Sequence, residues 1–203
     1  MKFNIHKQVV LASASPRRKE LLSLFGFPFA VEPSHVAEDI VRDGGVMKYA
    51  RDLAAKKTAA VASQHGTSIV IGADTIVVLD GKIYPKPTSK QQAKQFLQEL
   101  SGKTHSVITG VGIHADGHLA TFAVETKVTF RTLDKVLIDA YVASGDSMDK
   151  AGAYGIQTAG ALLVEQIEGD YHAVVGLPVA KLAEHLRKLG LISLKEDDPY
   201  VAY

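Results

Sequence analysis

A mixed α/β fold with a central mixed sheet is what the sequence predicts, and three observations carry that expectation. Val9-Val10-Leu11-Ala12 and Ser68-Ile69-Val70-Ile71 are apolar runs without polar alternation, as in strands covered on both faces. Segments with apolar residues at helical spacing lie between such runs. Asp80-Gly81 and Asp116-Gly117 each separate two apolar stretches and are strong hairpin signals. Parallel-type strands together with hairpins call for a sheet of mixed direction.

The elements can be justified in order. Val9 to Ala12 forms a buried strand. Ser15 then supplies an N-cap, and Pro16 occupies the first helical position, where proline is welcome. Leu21, Leu22, Leu24 and Phe25 give this helix its apolar face, and Gly26-Phe27-Pro28 ends it. Phe29-Ala30-Val31 reads as a second strand, and the polar segment from Glu32 to Gly45 as a loop. Tyr49, Ala50, Leu53, Ala54 and Val61 place a helix over Val46 to Gln64, closed by His65-Gly66. Ser68 to Ile71 reads as a strand that stops at Gly72-Ala73-Asp74-Thr75, with a separate run at Ile76 to Leu79. Lys82 to Tyr84 returns from the hairpin. Ser89 and Gln92 form a capping box for a helix ending at Leu100. Two long strands follow, His105 to Ile113 and Leu119 to Phe130. A helix capped by Thr132 runs to Ser144-Gly145. Met148 to Gln157 is a Gly- and Ala-rich loop. Ala161 to Ile167 and Tyr171 to Val175 read as a strand pair, and Val179 to Leu189 as the closing helix. The chain is taken as one domain, 1–203, with a charged tail at about 193–203.

Composition narrows the chemistry. Hydrophobic residues make up 46% of the 203-residue chain and charged ones 22%, enough for a sizeable core. The formal net charge is +1, so no global field draws the protein to nucleic acid or a membrane surface, and neither is expected as a partner. Absence of cysteine excludes disulfides and thiolate chemistry. Met1 to Gln8 lacks an apolar core, so a cytoplasmic location is the expectation.

The first turn of the first helix is unusual. Arg17, Arg18 and Lys19 crowd the end where the helix dipole is positive and cationic charge is disfavoured. Either this is a surface helix that starts basic, or an anion settles among these side chains, the serine hydroxyls and the unpaired N–H groups. Asp74 follows strongly apolar positions, where an unpartnered carboxylate is expensive to bury. It can bind a metal or accept a proton from water at a strand's tip, or simply cap the next turn. Lys86, pinned between Pro85 and Pro87, suggests a directed ammonium. Gln157 can read a base edge or satisfy loop backbone. By composition alone Glu38 and Lys57 are solvated charges, and Asp149 with Lys150 is a local ion pair. Eight histidines show no metal spacing, so a divalent metal would take oxygen ligands, favouring Mg²⁺ or Mn²⁺. G-x-S-x-G, Walker A and G-x-G-x-x-G patterns are all absent.

Taken together, Ser13-Ala14-Ser15-Pro16-Arg17-Arg18, Gly72-Ala73-Asp74-Thr75, Lys86-Pro87, Asp149 through Gln157 and Val175-Gly176-Leu177-Pro178 resemble the motifs of the Maf family of nucleoside triphosphate pyrophosphatases. The resemblance runs from about Val9 to Leu189. It implies an elongated, two-lobed, inosine triphosphatase-like fold with a cleft between the lobes, and a cytoplasmic homodimer. It also implies a divalent cation, Mg²⁺ or Mn²⁺, and hydrolysis of a nucleoside triphosphate to monophosphate and pyrophosphate. By the same resemblance Asp74 is the proton acceptor and holds the metal with Glu38. Ser13, Ser15, Arg17, Arg18, Lys57 and Lys86 surround the phosphates, while Arg17, Thr75 and Gln157 match the branch that cleaves dTTP and UTP. Roles in clearing unwanted nucleotides and in cell-division arrest are implied as well. Thr58, where alanine is common, and the longer tail are departures from the pattern. An alternative is a nucleotide-binding regulator of septum formation that acts through a protein partner and hydrolyses little.

Overall fold

The computed structural model describes residues 3–36 and 44–194, so Glu38 and the tail beyond residue 194 lie outside the described residues. In chain order the elements are β1 (Phe3–Ile5), β2 (Val9–Leu11), α1 (Pro16–Ser23), β3 (Phe29–Val31), α2 (Val46–Ala62), β4 (Ile69–Leu79), β5 (Lys82–Tyr84), α3 (Lys90–Leu100), β6 (Thr104–Ala115), β7 (His118–Phe130), α4 (Lys135–Ala143), β8 (Val164–Glu168), α5 (Tyr171–Val175), α6 (Val179–Lys188) and β9 (Ile192–Leu194). Two 3-10 turns lie at Ala151–Ala153 and Ala159–Leu163.

The main sheet has the order β3-β2-β4-β6-β7-β8, and β5 adds to β4. β2 is parallel to β3 and β4, whereas β4, β5, β6, β7 and β8 pair antiparallel, so the sheet is mixed as the sequence predicts. β1 and β9 form a separate antiparallel pair joining the two ends of the chain.

Three local expectations are corrected. Gly72 to Thr75 does not interrupt a strand: β4 runs unbroken through it, because β6 holds every residue from Val70 to Val78 in one register. Asp74 therefore lies in mid-strand, not at a strand's tip. Asp134 rather than Thr132 caps α4, its side chain accepting from the Leu137 N–H. Tyr171 to Val175 is helical, not a strand. The Asp170 side chain accepts from the N–H groups of His172 and Ala173 and starts the turn, and β8 pairs with β7 instead.

β4 organises the interior. Its odd-numbered residues supply two separate cores on one face. Ile69, Ile71 and Ala73 pack with Leu21, Leu22, Phe25, Leu182 and Leu186. Val77 and Leu79 pack with Phe96, Leu97, Val128, Phe130 and Leu163. Between these cores sits a polar seam, where the Thr75 and Thr109 hydroxyls lie 2.9 Å apart and Thr109 donates to the Ala173 carbonyl. The even-numbered residues face α2, with Ile76 and Val78 meeting Ala50 and Leu53. α2 lies close to the sheet because glycines clear its path. A Cβ at Gly110 would fall 2.1 Å from the Ala50 carbonyl oxygen, and one at Gly72 would fall 2.3 Å from Thr58 Oγ1.

Candidate active site

The turn between β2 and α1 is held by its own serines. Ser13 Oγ accepts from the Ser15 N–H at 3.2 Å, and Ser15 Oγ, at the N-cap, accepts from the Arg18 N–H at 3.4 Å. Pro16 follows at the first helical position, so the predicted cap forms. Arg18 turns inward. It donates through Nε to the Gly176 carbonyl, through Nη1 to Ser13 Oγ and through Nη2 to Thr75 Oγ1, at 2.9, 3.2 and 3.1 Å. A planar fork satisfied on three sides fixes α1 against β4 and against the turn after α5. Arg17 points elsewhere and donates to Asp149 Oδ2 at 3.1 Å.

Asp74, only 6% exposed, directs its carboxylate to the α2 side of the sheet, where Oδ1 accepts from Lys57 Nζ. The close approach of α2 makes this contact possible. A buried carboxylate so paired avoids the several kcal/mol that an isolated one would require. β5 and the Pro85-Lys86-Pro87 segment close the far end, anchored where the Pro85 carbonyl accepts from the Gly152 N–H at 3.3 Å.

The loop after α4 forms the remaining wall around Lys150, which is 7% exposed. Its Nζ donates to the Asp146 carbonyl, to Asp146 Oδ1 and to Asp149 Oδ1, at 2.7, 2.9 and 2.6 Å. Asp146 also accepts from the hydroxyls of Tyr141 and Thr158. Burial pushes the Asp146 carboxyl up, but hydrogen bonds from Thr158, Lys150 and Tyr141 outweigh it and hold it below its ordinary value. The same opposition, with Lys150 and Arg17 as donors, keeps Asp149 below its ordinary value. Asp149 and Lys150 are thus an ion pair, as composition suggests, and also part of a network that orders the wall. Beneath it, Tyr154 contacts His105 Nε2 at 2.8 Å, and burial lowers His105 to about pH 4, partly opposed by the Lys103 main chain.

Ser15, Arg17, Arg18, Lys57, Asp74, Thr75, Lys86 and Gln157 all line one cavity of about 420 Å³. Ser13 stands behind it, buried, and orients Ser15 and Arg18. Arg17, Arg18, Lys57, Lys86 and Lys150 face it against the carboxylates of Asp74 and Asp149. A near-neutral protein thus concentrates positive charge in one hollow, an arrangement suited to a polyanion. Tyr49 of α2 also lines this cavity, although its spacing in the sequence reads only as part of an apolar helix face. Among the described residues no group of three or more His, Asp or Glu side chains is placed to hold a metal ion. No helix in the described residues is long and apolar enough to cross a membrane.

A family profile described as Maf-like protein matches residues 8–189. A dTTP/UTP pyrophosphatase of Bacillus pumilus is 47% identical over 184 residues, spanning 91% of this chain and 97% of that protein. One from Bacillus anthracis is 48% identical over 185 residues, with the same two shares. Among solved structures, a HAM1 protein from Coxiella burnetii is 15% identical with a TM-score of 0.51, covering 90% of this chain and 100% of that one, a likeness of fold. Every motif that shapes the cavity falls inside the matched span, and the chain belongs to the Maf family.

Proposed function

We propose that this chain is a nucleoside triphosphate pyrophosphatase that hydrolyses dTTP and UTP to the monophosphate and pyrophosphate. One observation carries the reading: the basic first turn of α1 and the buried Asp74–Lys57 pair face the same cavity. Relatives named dTTP/UTP pyrophosphatases, 47–48% identical over 91% of the chain, support the choice of substrate.

In this mechanism the triphosphate enters among Arg17, Lys57 and Lys86, with the Ser15 hydroxyl and the first N–H groups of α1 donating to its oxygens. A positive charge that is unfavourable at an empty helix start becomes favourable once an anion of higher charge lies there. Lys57 orients Asp74 by donating to its Oδ1. Water attacks the α-phosphorus and the Asp74 carboxylate takes its proton. The bond from that phosphorus to the oxygen bridging to the β-phosphate breaks, and pyrophosphate departs with the electron pair. Guanidinium and ammonium groups stabilise the charge that develops on the leaving group.

A hard divalent cation of the Mg²⁺ or Mn²⁺ type would need only one or two carboxylates from the protein, with water and substrate oxygens as its other ligands. Asp74 is the described residue that would hold it, with Glu38 as the second carboxylate. Such an ion supplies charge neutralisation on the phosphate oxygens. Arg17, Thr75 and Gln157 bias the site toward uracil and thymine, in a cytoplasmic homodimer.

Purified protein incubated with dTTP or UTP and Mg²⁺ or Mn²⁺ should yield monophosphate and pyrophosphate in equal amounts, and chelation by EDTA should stop the reaction. Orthophosphate with nucleoside diphosphate, or binding without product, would overturn this function.

A further inference from the structure

β4 is paired without a break from Val70 to Val78 on one edge and only at its two ends on the other. β6 takes the first edge from Val70 to Val78. On the opposite edge β2 covers Ile69 to Ile71 and β5 covers Val77 to Leu79. The Ile69 N–H donates to the Gln8 carbonyl and the Ile71 carbonyl accepts from the Ala12 N–H, both at 2.8 Å. Odd-numbered residues therefore turn both main-chain groups toward this second edge, and the unbroken register carries that alternation to the hairpin. Ala73 and Thr75 thus present N–H and C=O groups at a gap that neither β2 nor β5 reaches. Among the described residues nothing hydrogen-bonds to them there.

The gap opens into the cavity. Asp74, Thr75, Ile76 and Val77 line it consecutively, so the cavity meets β4 edge-on. The Thr75 side chain is turned to other work, with Oγ1 3.1 Å from Arg18 Nη2 and 2.9 Å from Thr109 Oγ1. Backbone groups left unpaired in a partly enclosed site require water or a ligand as partner.

Resting on the function proposed above, we infer that the Thr75 main chain reads the nucleobase: its carbonyl accepts from the pyrimidine N3–H, and its N–H donates to the adjacent ring carbonyl. A phosphate offers only acceptors and would leave the Thr75 carbonyl unpaired. A lactam offers a donor and an acceptor side by side, which matches one strand residue's pair of groups. Uracil and thymine share that lactam and differ only at C5. Cytosine held in the same place sets a bare N3 against the carbonyl and an amino group against the N–H, two repulsions in place of two bonds. Ile156, Val174 and Val175 line the same cavity and provide apolar surface for the ring. The side chain of Thr75 then acts at one remove, tying this stretch of strand to Arg18.

Two measurements test the inference. Amide hydrogen exchange followed by NMR should show the Thr75 N–H slowed by saturating α,β-imido-UTP and unchanged by tripolyphosphate. N3-methyl-UTP and CTP should each lose about 10²-fold or more in kcat/KM relative to UTP, the discrimination expected when buried polar groups lose their partner. A Thr75 amide that exchanges equally fast with and without the nucleotide overturns the inference, as does N3-methyl-UTP turned over within threefold of UTP. Either result, with UTP still cleaved to UMP and pyrophosphate, leaves the proposed function standing. Failure to release pyrophosphate from UTP or dTTP overturns both.

Discussion

At the scale of single residues, the account turns on a carboxylate that the fold buries and pairs with an ammonium group. Asp74 is only 6% exposed and is paired with Lys57, so the group proposed as proton acceptor and metal ligand sits in a largely enclosed place. Asp74→Asn preserves the shape and removes the base. Its kcat should fall roughly 10²–10⁴-fold with nucleotide affinity retained, as titration with α,β-imido-UTP would show. Near-normal turnover would remove Asp74 from its role. Much of this is legible in the sequence, because an acidic residue beside Ile69-Val70-Ile71 demands a partner. Which partner is not legible: Lys57 reads as one more solvated charge until α2 is placed against the sheet. Arg18 shows the opposite. Its proximity to Arg17 in sequence suggests one shared role, yet helical geometry sends Arg17 to Asp149 and Arg18 to Ser13, Thr75 and Gly176.

Elements explain how the pair meets. α2 can lie against β4 and β6 only because Gly72, Gly110 and Gly112 have no side chains where the helix passes. Gly110→Ala places a methyl group 2.1 Å from the Ala50 carbonyl oxygen. The clash is with backbone, so the helix must shift, at a stability loss of about 1–3 kcal/mol. Calorimetry should record roughly 2–4 °C of Tm per kcal/mol lost, and kcat should drop as Lys57 withdraws from Asp74. An unchanged Tm and kcat would mean that α2 is not tightly seated. Glycine also disguises the strand in the sequence, since Gly72-Ala73-Asp74 looks like a break. Long-range pairing with β6 overrides that weak local preference. The Asp170 cap likewise overrides the strand-like Val174-Val175, and the β1–β9 pair has no local signal because its strands are three residues each at opposite ends of the chain.

Across the whole molecule, two apolar cores share one face of the sheet and flank the polar seam of Thr75 and Thr109, and the cavity draws its apolar lining from both, Val77 and Tyr154 from one and Val175 from the other. The second core contains His105, whose buried ring is held neutral with a value of about 4. In the unfolded chain histidine titrates near 6.5, so between these values the unfolded state binds more protons and stability rises with pH. Its full contribution is present above about pH 6.5 and declines by about 1.4 kcal/mol per unit as pH falls toward 4. Urea unfolding should show that slope, and His105→Gln should flatten it; an equal slope in both proteins would place the acid sensitivity elsewhere. The charge pattern has its own signature. Because net charge is only +1 and the cations gather at the cavity, KM for dTTP should rise several-fold with added salt while kcat changes little. A salt-insensitive KM would contradict phosphate binding there.

The central claim is that the nucleotide's α-phosphorus is delivered to a water activated by Asp74. Hydrolysis of dTTP in ¹⁸O-labelled water tests it most directly by mass spectrometry of the products. The account predicts one ¹⁸O atom in dTMP, none in the pyrophosphate, and the two products in equal amounts. Label in pyrophosphate, or in orthophosphate released with dTDP, would place the attack on another phosphorus and contradict it.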